Sequence, residues 1–488
     1  MAERGARARL GTALAFSLAF AVAVLARWHA RHQGLIYPDG YQYLLMAKGI
    51  ATHLTPTLAL GRGGEVFSPS IDAAIKPLYP ALVAALSALT GLKTAAQALT
   101  AAGAGAVVVL VAALAQALTG SRLAAASAGL AALVSPMLGY WSGFLGPDPL
   151  AQALALACAL ALTRRRAAAA GVFGALCAAT RPEWGVALAA LGVYGLARPA
   201  WRAHAMRALT AGALTEAAVI GVLRPPLALP PGGLAGLIGL LGAGLAGQEV
   251  ARRLGTSARG RLVFILACSA ALAALAVSGH APALNALLSA NWPLVALALA
   301  GALMACREPY GAELTVLVAV VAVTFAAYEY RNPSSARYLS ELIPVLCLFG
   351  AVAVATAVRA TPRHLGALSA AAALGLTLAP MLSTPAQPAV GRDYFQTLAV
   401  WLRHAPPGPL VSAAPDAFGY LLPERAEQAI APGARGLILL DAAEREYAPA
   451  SAAVGTPLQS YVPDGGFERP DGSIDSAPAR LLAGVVTR

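Results

Sequence analysis

Clusters of arginine cut this chain into a long series of apolar runs, and that alternation leaves few folds open to it. Runs such as Leu10–Ala26, Ala95–Leu118, Leu227–Gly247, Leu284–Ala305 and Leu365–Leu382 carry almost no charge. A run of about twenty apolar residues crosses a bilayer as a helix, because hydrocarbon leaves an unpaired peptide group nowhere to bond. Between the runs stand Arg164, Arg165 and Arg166, then Arg198, Arg202 and Arg207, then Arg252, Arg253, Arg259 and Arg261, then Arg359, Arg363 and His364. The excess of arginine on cytoplasmic loops orients such a chain. It predicts about thirteen spans with the N-terminus in the cytoplasm and the C-terminus outside. Leu10–Ala26, with Arg4, Arg7 and Arg9 before it, could be a signal peptide; an uncleaved first span fits the later alternation better. Only 12% of the residues are charged and 58% are hydrophobic, against about 25% charged in a soluble domain. The net charge of +12 lies in clusters between apolar runs rather than along one face, so no nucleic-acid partner is expected and membrane lipids are.

The polar residues collect on the outer side. The first outer loop, 27–94, carries Asp39, Glu65, Asp72, Lys48, Arg62 and Lys76. Asp39 follows the first span closely and precedes Gly40, Tyr41 and Tyr43. A carboxylate held there among interfacial tyrosines is placed to act on a lipid-borne substrate, although Pro-Asp-Gly is also good turn chemistry. The run from Leu78 to Thr90 is too short to cross and predicts a helix along the outer surface, ending at Gly91. Ser121 and Arg122 make a cytoplasmic turn, Ala124 to Tyr140 returns outward, and Asp148 joins Asp39 outside. Ala167–Ala179 and Trp184–Ala197 are two short apolar limbs joined by Thr180-Arg181-Pro182-Glu183; basic residues put both ends of the pair in the cytoplasm, and the joining apex points outward. That hairpin puts Arg181 inside the membrane, where an arginine is a functional candidate. A last outer stretch, 328–338, holds Glu329, Arg331, Arg337 and Tyr338; Glu341 and Glu329 are expected to be solvated or paired with Arg337 and Arg331.

Beyond Ser383 the composition becomes that of a soluble module. Asp393–Arg403 reads as an amphipathic helix, with Leu410–Ala413 and Leu437–Leu440 as short buried strands. The chain is therefore expected to form an all-α polytopic membrane domain, 1–382, and a small extracytoplasmic α/β domain, 383–488. The five cysteines sit in or beside apolar runs, far from any Cys-x-x-Cys spacing, so neither a disulfide nor structural zinc is expected. His29 and His32 have i,i+3 spacing but fit an interfacial helix end better than a metal pair; no metal site is assigned.

Acids and bases meeting over a membrane cavity suit the transfer of a group from a lipid phosphate. The leaving phosphate needs guanidinium or ammonium charge, and an acceptor hydroxyl needs a carboxylate to take its proton. Five segments carry a resemblance at this point: PDGYQYLLMAKGI, KPLYPALVAALSALTG, SPMLGYWSGFLGPDPLAQALAL, AATRPEWGVAL and SARYLSELIPVL. In order and spacing they resemble the GT-C integral-membrane glycosyltransferases, in particular the bacterial branch similar to protein O-mannosyltransferases and the lipid A aminoarabinose transferase.

The resemblance implies an inverting transfer of a sugar from a polyprenyl-phosphate donor to a hydroxyl of a glycan, lipid or protein outside a bacterial cell membrane. It implies juxtamembrane helices in the first outer loop, Asp39 as general base and Asp148 as the second catalytic acid. It places Arg181, Arg337, Tyr338, Lys76 and Arg331 on the donor phosphate, and Tyr41, Tyr43 and Glu183 in the acceptor or sugar pocket. Many members of the family have Asp-Glu in the first loop, whereas Asp39 is followed here by Gly40. That leaves metal use open; no cofactor is required, and a monomer is expected. A secondary transporter would also have many spans, but should show inverted repeats and midplane charges. A lipid-binding scaffold without catalysis would leave Asp39 and Asp148 apart.

Overall fold

The computed structural model describes residues 2–29, 38–54, 58–60, 65–67, 76–185, 188, 192, 196, 199–223, 282–305, 340–360, 375, 394–425, 427–447, 452–463, 467–468 and 474–487. Helix α1 (Ala2–His29) is followed by α2 (Pro38–His53), by an antiparallel ribbon of β1 (Leu58–Leu60) and β2 (Glu65–Phe67), and by α3 (Leu78–Thr90) and α4 (Leu92–Thr119). Gly91 separates α3 from α4 where the sequence places a helix end. Its φ of 82° suits glycine, and its N–H donates to the carbonyl of Ser87. Gly120, in the left-handed region at φ 70°, ends α4, and Ser121 caps α5 (Arg122–Val134) by accepting from the Ala124 N–H at 3.2 Å.

The run expected to return outward as one helix is broken. Pro136 has no N–H for the carbonyl of Ala132 and its ring crowds the preceding turn. A second helix, α6 (Pro136–Trp141), starts there, and Ser135 caps it by accepting from the Leu138 N–H at 3.3 Å. Arg27, at the end of α1, supplies the missing donor: its Nη2 reaches the carbonyls of Ala132 at 3.0 Å and Leu133 at 2.8 Å.

The helical part continues through α7 (Asp148–Thr163), α8 (Ala167–Thr180), α9 (Pro199–Leu223), α10 (Pro282–Ala305) and α11 (Ile343–Ala360). Helices α4 and α7 approach so closely at Gly103 that a Cβ there would lie 2.9 Å from the Leu150 nitrogen. Inside α10, Asn291 leaves the helical region (φ −125°, ψ 20°) just ahead of Pro293. Among the described residues three helical stretches, Leu92–Thr119, Trp201–Val222 and Ser340–Ala360, are long and apolar enough to cross a membrane, and several shorter apolar helices accompany them. This is a multi-pass membrane protein. The expected spans within 227–278, 313–327 and 365–382 lie outside the described residues.

After α12 (Tyr394–Leu402) the chain forms β3 (Leu410–Ser412), α13 (Pro415–Leu421), β4 (Glu427–Ala429), β5 (Arg435–Leu440), α14 (Ala442–Tyr447) and β6 (Ala452–Tyr461). A ribbon of β7 (Phe467–Glu468) and β8 (Ile474–Asp475) precedes β9 (Ala479–Thr487). The sheet order is β4-β3-β5-β9-β6; β3 runs parallel to β4 and β5, and β9 antiparallel to β5 and β6. The two strands read from the sequence at Leu410 and Leu437 are thus neighbours, buried through Val411 and Ile438. This unit does not keep its core to itself. One apolar cluster runs from Tyr41, Leu44 and Met46 of α2 through Tyr79 and Val83 of α3 to Phe395, Leu398, Phe418, Leu437 and Leu481.

Candidate active site

The hairpin arginine is the hub of a buried ion cluster. Pro182 disfavours helical backbone at the residue before it, so α8 stops at Thr180 and Arg181 is extended, at φ −149° and ψ 112°. Its side chain is 1% exposed. Nη1 pairs with Asp148 Oδ1 and lies 3.3 Å from Glu341 Oε1, while Nε lies 3.4 Å from Glu183 Oε2. The other oxygen of Glu341 accepts from Trp184 Nε1 at 2.9 Å. Asp148 opens α7, and its carboxylate turns to Arg181. Lys76, buried just before α3, lies within electrostatic reach of Glu183. Three carboxylates therefore share two cations. Charges this far from water persist only when paired and hydrogen-bonded.

Helix α3 borders this cluster, and α2 packs against α3. Tyr79 of α3 is fully buried; its hydroxyl donates to the Ala96 carbonyl at 3.2 Å, lies 3.0 Å from Thr100 Oγ1, and is within reach of Gly146 and Asp148. Tyr43 of α2 meets the Tyr79 ring edge-on at 5.6 Å. Asp39 is the second residue of α2, in the helix turn that precedes Tyr43; its side chain lies outside the described residues.

The expected site residues thus fall into three groups. Asp148, Arg181, Glu183 and Lys76 come together. Tyr41 and Tyr43, expected in an acceptor or sugar pocket, are buried in ring contacts at 1% and 3% exposure and support α2. Arg331, Arg337 and Tyr338 lie outside the described residues, as do the side chains of Glu65 and Asp72. Arg181, expected on the donor phosphate, is engaged with Asp148, Glu183 and Glu341.

Glu341 corrects the sequence reading outright. It was expected in solvent or on Arg337, and it is instead wholly buried between Arg181 and Trp184. The helical turn Ser340–Leu342, just ahead of α11, carries it inward. An acid on the first turn of an apolar span was the available signal. Trp184 was missed too, its N–H hidden within an apolar limb. Among the described residues no group of three metal-ligating side chains forms a metal site.

With this geometry in hand, the chain was compared with known proteins. No protein-family model matches it, and no curated protein matches it in sequence. Solved structures do. The oligosaccharyltransferase of Archaeoglobus fulgidus in its apo form superposes with a TM-score of 0.56 at 12% identity, over 88% of this chain and 70% of that one. The same enzyme in complex with Zn and sulfate gives 0.57 at 13% identity, over 92% and 72%. ArnT from Cupriavidus metallidurans bound to undecaprenyl phosphate gives 0.50 at 15% identity, over 97% and 98%. The fold is the GT-C fold. Within this fold the ion cluster sits where α7, the α8 hairpin and the start of α11 converge, with the first-loop helix α2 nearby through Tyr43 and Tyr79.

Proposed function

We propose that this protein is an inverting glycosyltransferase that moves a sugar from a polyprenyl-phosphate donor to a hydroxyl of a cell-envelope glycan, lipid or protein on the extracytoplasmic side. The observation that carries the reading is the buried union of Asp148 with Arg181, Glu183 and Glu341 inside a GT-C fold. ArnT bound to undecaprenyl phosphate supports a polyprenyl carrier for the donor.

In this reading Asp39, in the first turn of α2, takes the proton of the acceptor hydroxyl as its oxygen attacks the anomeric carbon. The new carbon–oxygen bond forms on one face while the bond to phosphate breaks on the other, which inverts the anomeric centre. The bonding pair leaves with the lipid phosphate. Lys76, Arg331, Arg337 and Tyr338 stabilise that departing charge. Arg181 holds Asp148 in place, and Asp148 and Glu183 accept hydrogen bonds from the acceptor or the sugar. The reaction so written requires no cofactor.

The test is turnover by purified protein in lipid nanodiscs, offered a panel of radiolabelled polyprenyl-phosphate sugars together with membrane extract as acceptor source. Label should pass to acceptor in the wild type and stay on the lipid in Asp39→Asn. Solute uptake into proteoliposomes with no label transfer from any donor would replace this reading with a transporter. Full turnover by Asp39→Asn would remove Asp39 as the base.

A further inference from the structure

Helix α2 has no solvent face over most of its length. Every residue from Gly40 to Ala47 is buried, although the helix belongs to a loop rather than to an apolar run. Successive residues of a helix are 100° apart, so Tyr41 and Tyr43 leave α2 in nearly opposite directions. Tyr43 goes to Tyr79, whose hydroxyl is tied to α4. Tyr41 goes to the C-terminal unit: its ring stands edge-on to Phe395 at 5.9 Å and tilted against Tyr420 at 5.6 Å, and Phe395 in turn packs edge-on against Phe418 at 5.9 Å. Helix α2 is thus held between the membrane part and the C-terminal sheet unit.

The clamp falls at a helix end. The first turn of a helix has N–H groups with no intrahelical partner, so its geometry leans on tertiary packing more than that of the helix middle. Asp39 and Tyr41 share that turn. We propose that the C-terminal α/β unit is a positioning element of the transfer reaction: through Tyr420 and Phe395 it fixes Tyr41, and with it the first turn of α2 and the placement of Asp39. This rests on the reading of Asp39 as the base. It gives the unit a role distinct from acceptor recognition, since its contact is with the helix that bears the reacting group.

The experiment is a kinetic cycle on the full chain in nanodiscs. A displacement of about 1 Å at a reacting group costs roughly 100-fold in rate. Tyr420→Ala should therefore lower kcat by about 10- to 100-fold and leave KM for donor and for acceptor within about twofold. Tyr420→Phe, which keeps the ring, should retain the wild-type kcat. Tyr420→Ala added to Asp39→Glu, which keeps a carboxylate but shifts it, should lower the rate by less than the product of the two single effects, because residues that act through one group are not additive. Should Tyr420→Ala not fold, Phe395→Leu takes its place in the same cycle. A raised acceptor KM at unchanged kcat, or effects that multiply in the double variant, would overturn the proposal and make the unit an acceptor-binding or purely structural module. Wild-type turnover by Asp39→Asn alone is a separate result: it removes the base assignment, whatever Tyr420→Ala does.

Discussion

Ser135 Oγ donates a hydrogen bond to Asn291 Oδ1 at 2.9 Å, joining two apolar helices at the points where each is broken. Ser135 stands at the break before Pro136, and Asn291 at the non-helical residue before Pro293. Arg27 lies beside the same junction, on the Ala132 carbonyl that Pro136 leaves without a donor and on the Leu133 carbonyl beside it. A buried polar seam therefore fixes α6, and α6 leads directly into the buried turn that ends at Asp148.

Arg27→Met should weaken this junction. Each buried carbonyl left without its donor costs about 1–3 kcal/mol, and two are exposed to that loss. Thermal unfolding in detergent should show a lower midpoint for Arg27→Met, with Arg27→Lys between it and the wild type. An unchanged midpoint would mean that water reaches those carbonyls.

Arg181 should be more sensitive still. Removing one partner from a buried ion pair costs about 3–5 kcal/mol, and here three carboxylates lose the same cation. Arg181→Met should unfold at a markedly lower temperature or fail to accumulate. Adding Glu341→Gln, which removes one of the three acidic groups left without the guanidinium, should recover part of that loss. Equal stability of the single and double variants would argue against the shared cluster.

Asp39→Asn and Asp148→Asn should separate chemistry from folding in different ways. Asp39→Asn exchanges the proposed base for an amide of the same shape, so it should abolish transfer at an unchanged melting temperature. Asp148→Asn breaks a buried pair and should lose activity and stability together. The check is label transfer and melting measured on the same preparations.

The C-terminal unit should respond to pH through Asp416. Burial raises its carboxyl pKa from 3.8 to about 6. A raised acid pKa means that ionisation is harder in the folded state. The cost is absent below the unfolded value near pH 4, grows as pH rises towards 6, and stays above it. The unit should therefore melt at a lower temperature at pH 7 than at pH 5, and Asp416→Asn should flatten that dependence. A wild-type midpoint that rises from pH 5 to pH 7 would contradict the assignment.

Much of the local structure was written in local signals. Gly91 and Gly120 end helices, Ser121 begins one, and Pro182 stops α8 one residue before Arg181. Each rests on the backbone chemistry of one or two residues, which a sequence displays directly. Pro136 was equally visible, but the unbroken apolar character around it suggested a straight span. Glu341 and Trp184 were harder, since their roles depend on two segments far apart in the chain meeting at Arg181. The contact of Tyr41 with Phe395 and Tyr420 left no local trace at all: a tyrosine near a membrane surface reads as an interfacial anchor, and only the folded chain shows which rings cover it.

The all-round burial of α2 also sets an order of events in biosynthesis. Its two sides are completed by partners made at very different times, Tyr79 soon after it and Tyr420 when translation is nearly finished. Until the last ribosomal stretch emerges, this early helix has one apolar flank uncovered, and contacts so distant in the chain form slowly. A truncated product would therefore carry a sticky, half-docked loop, a mark by which quality control could tell an unfinished copy from a finished one.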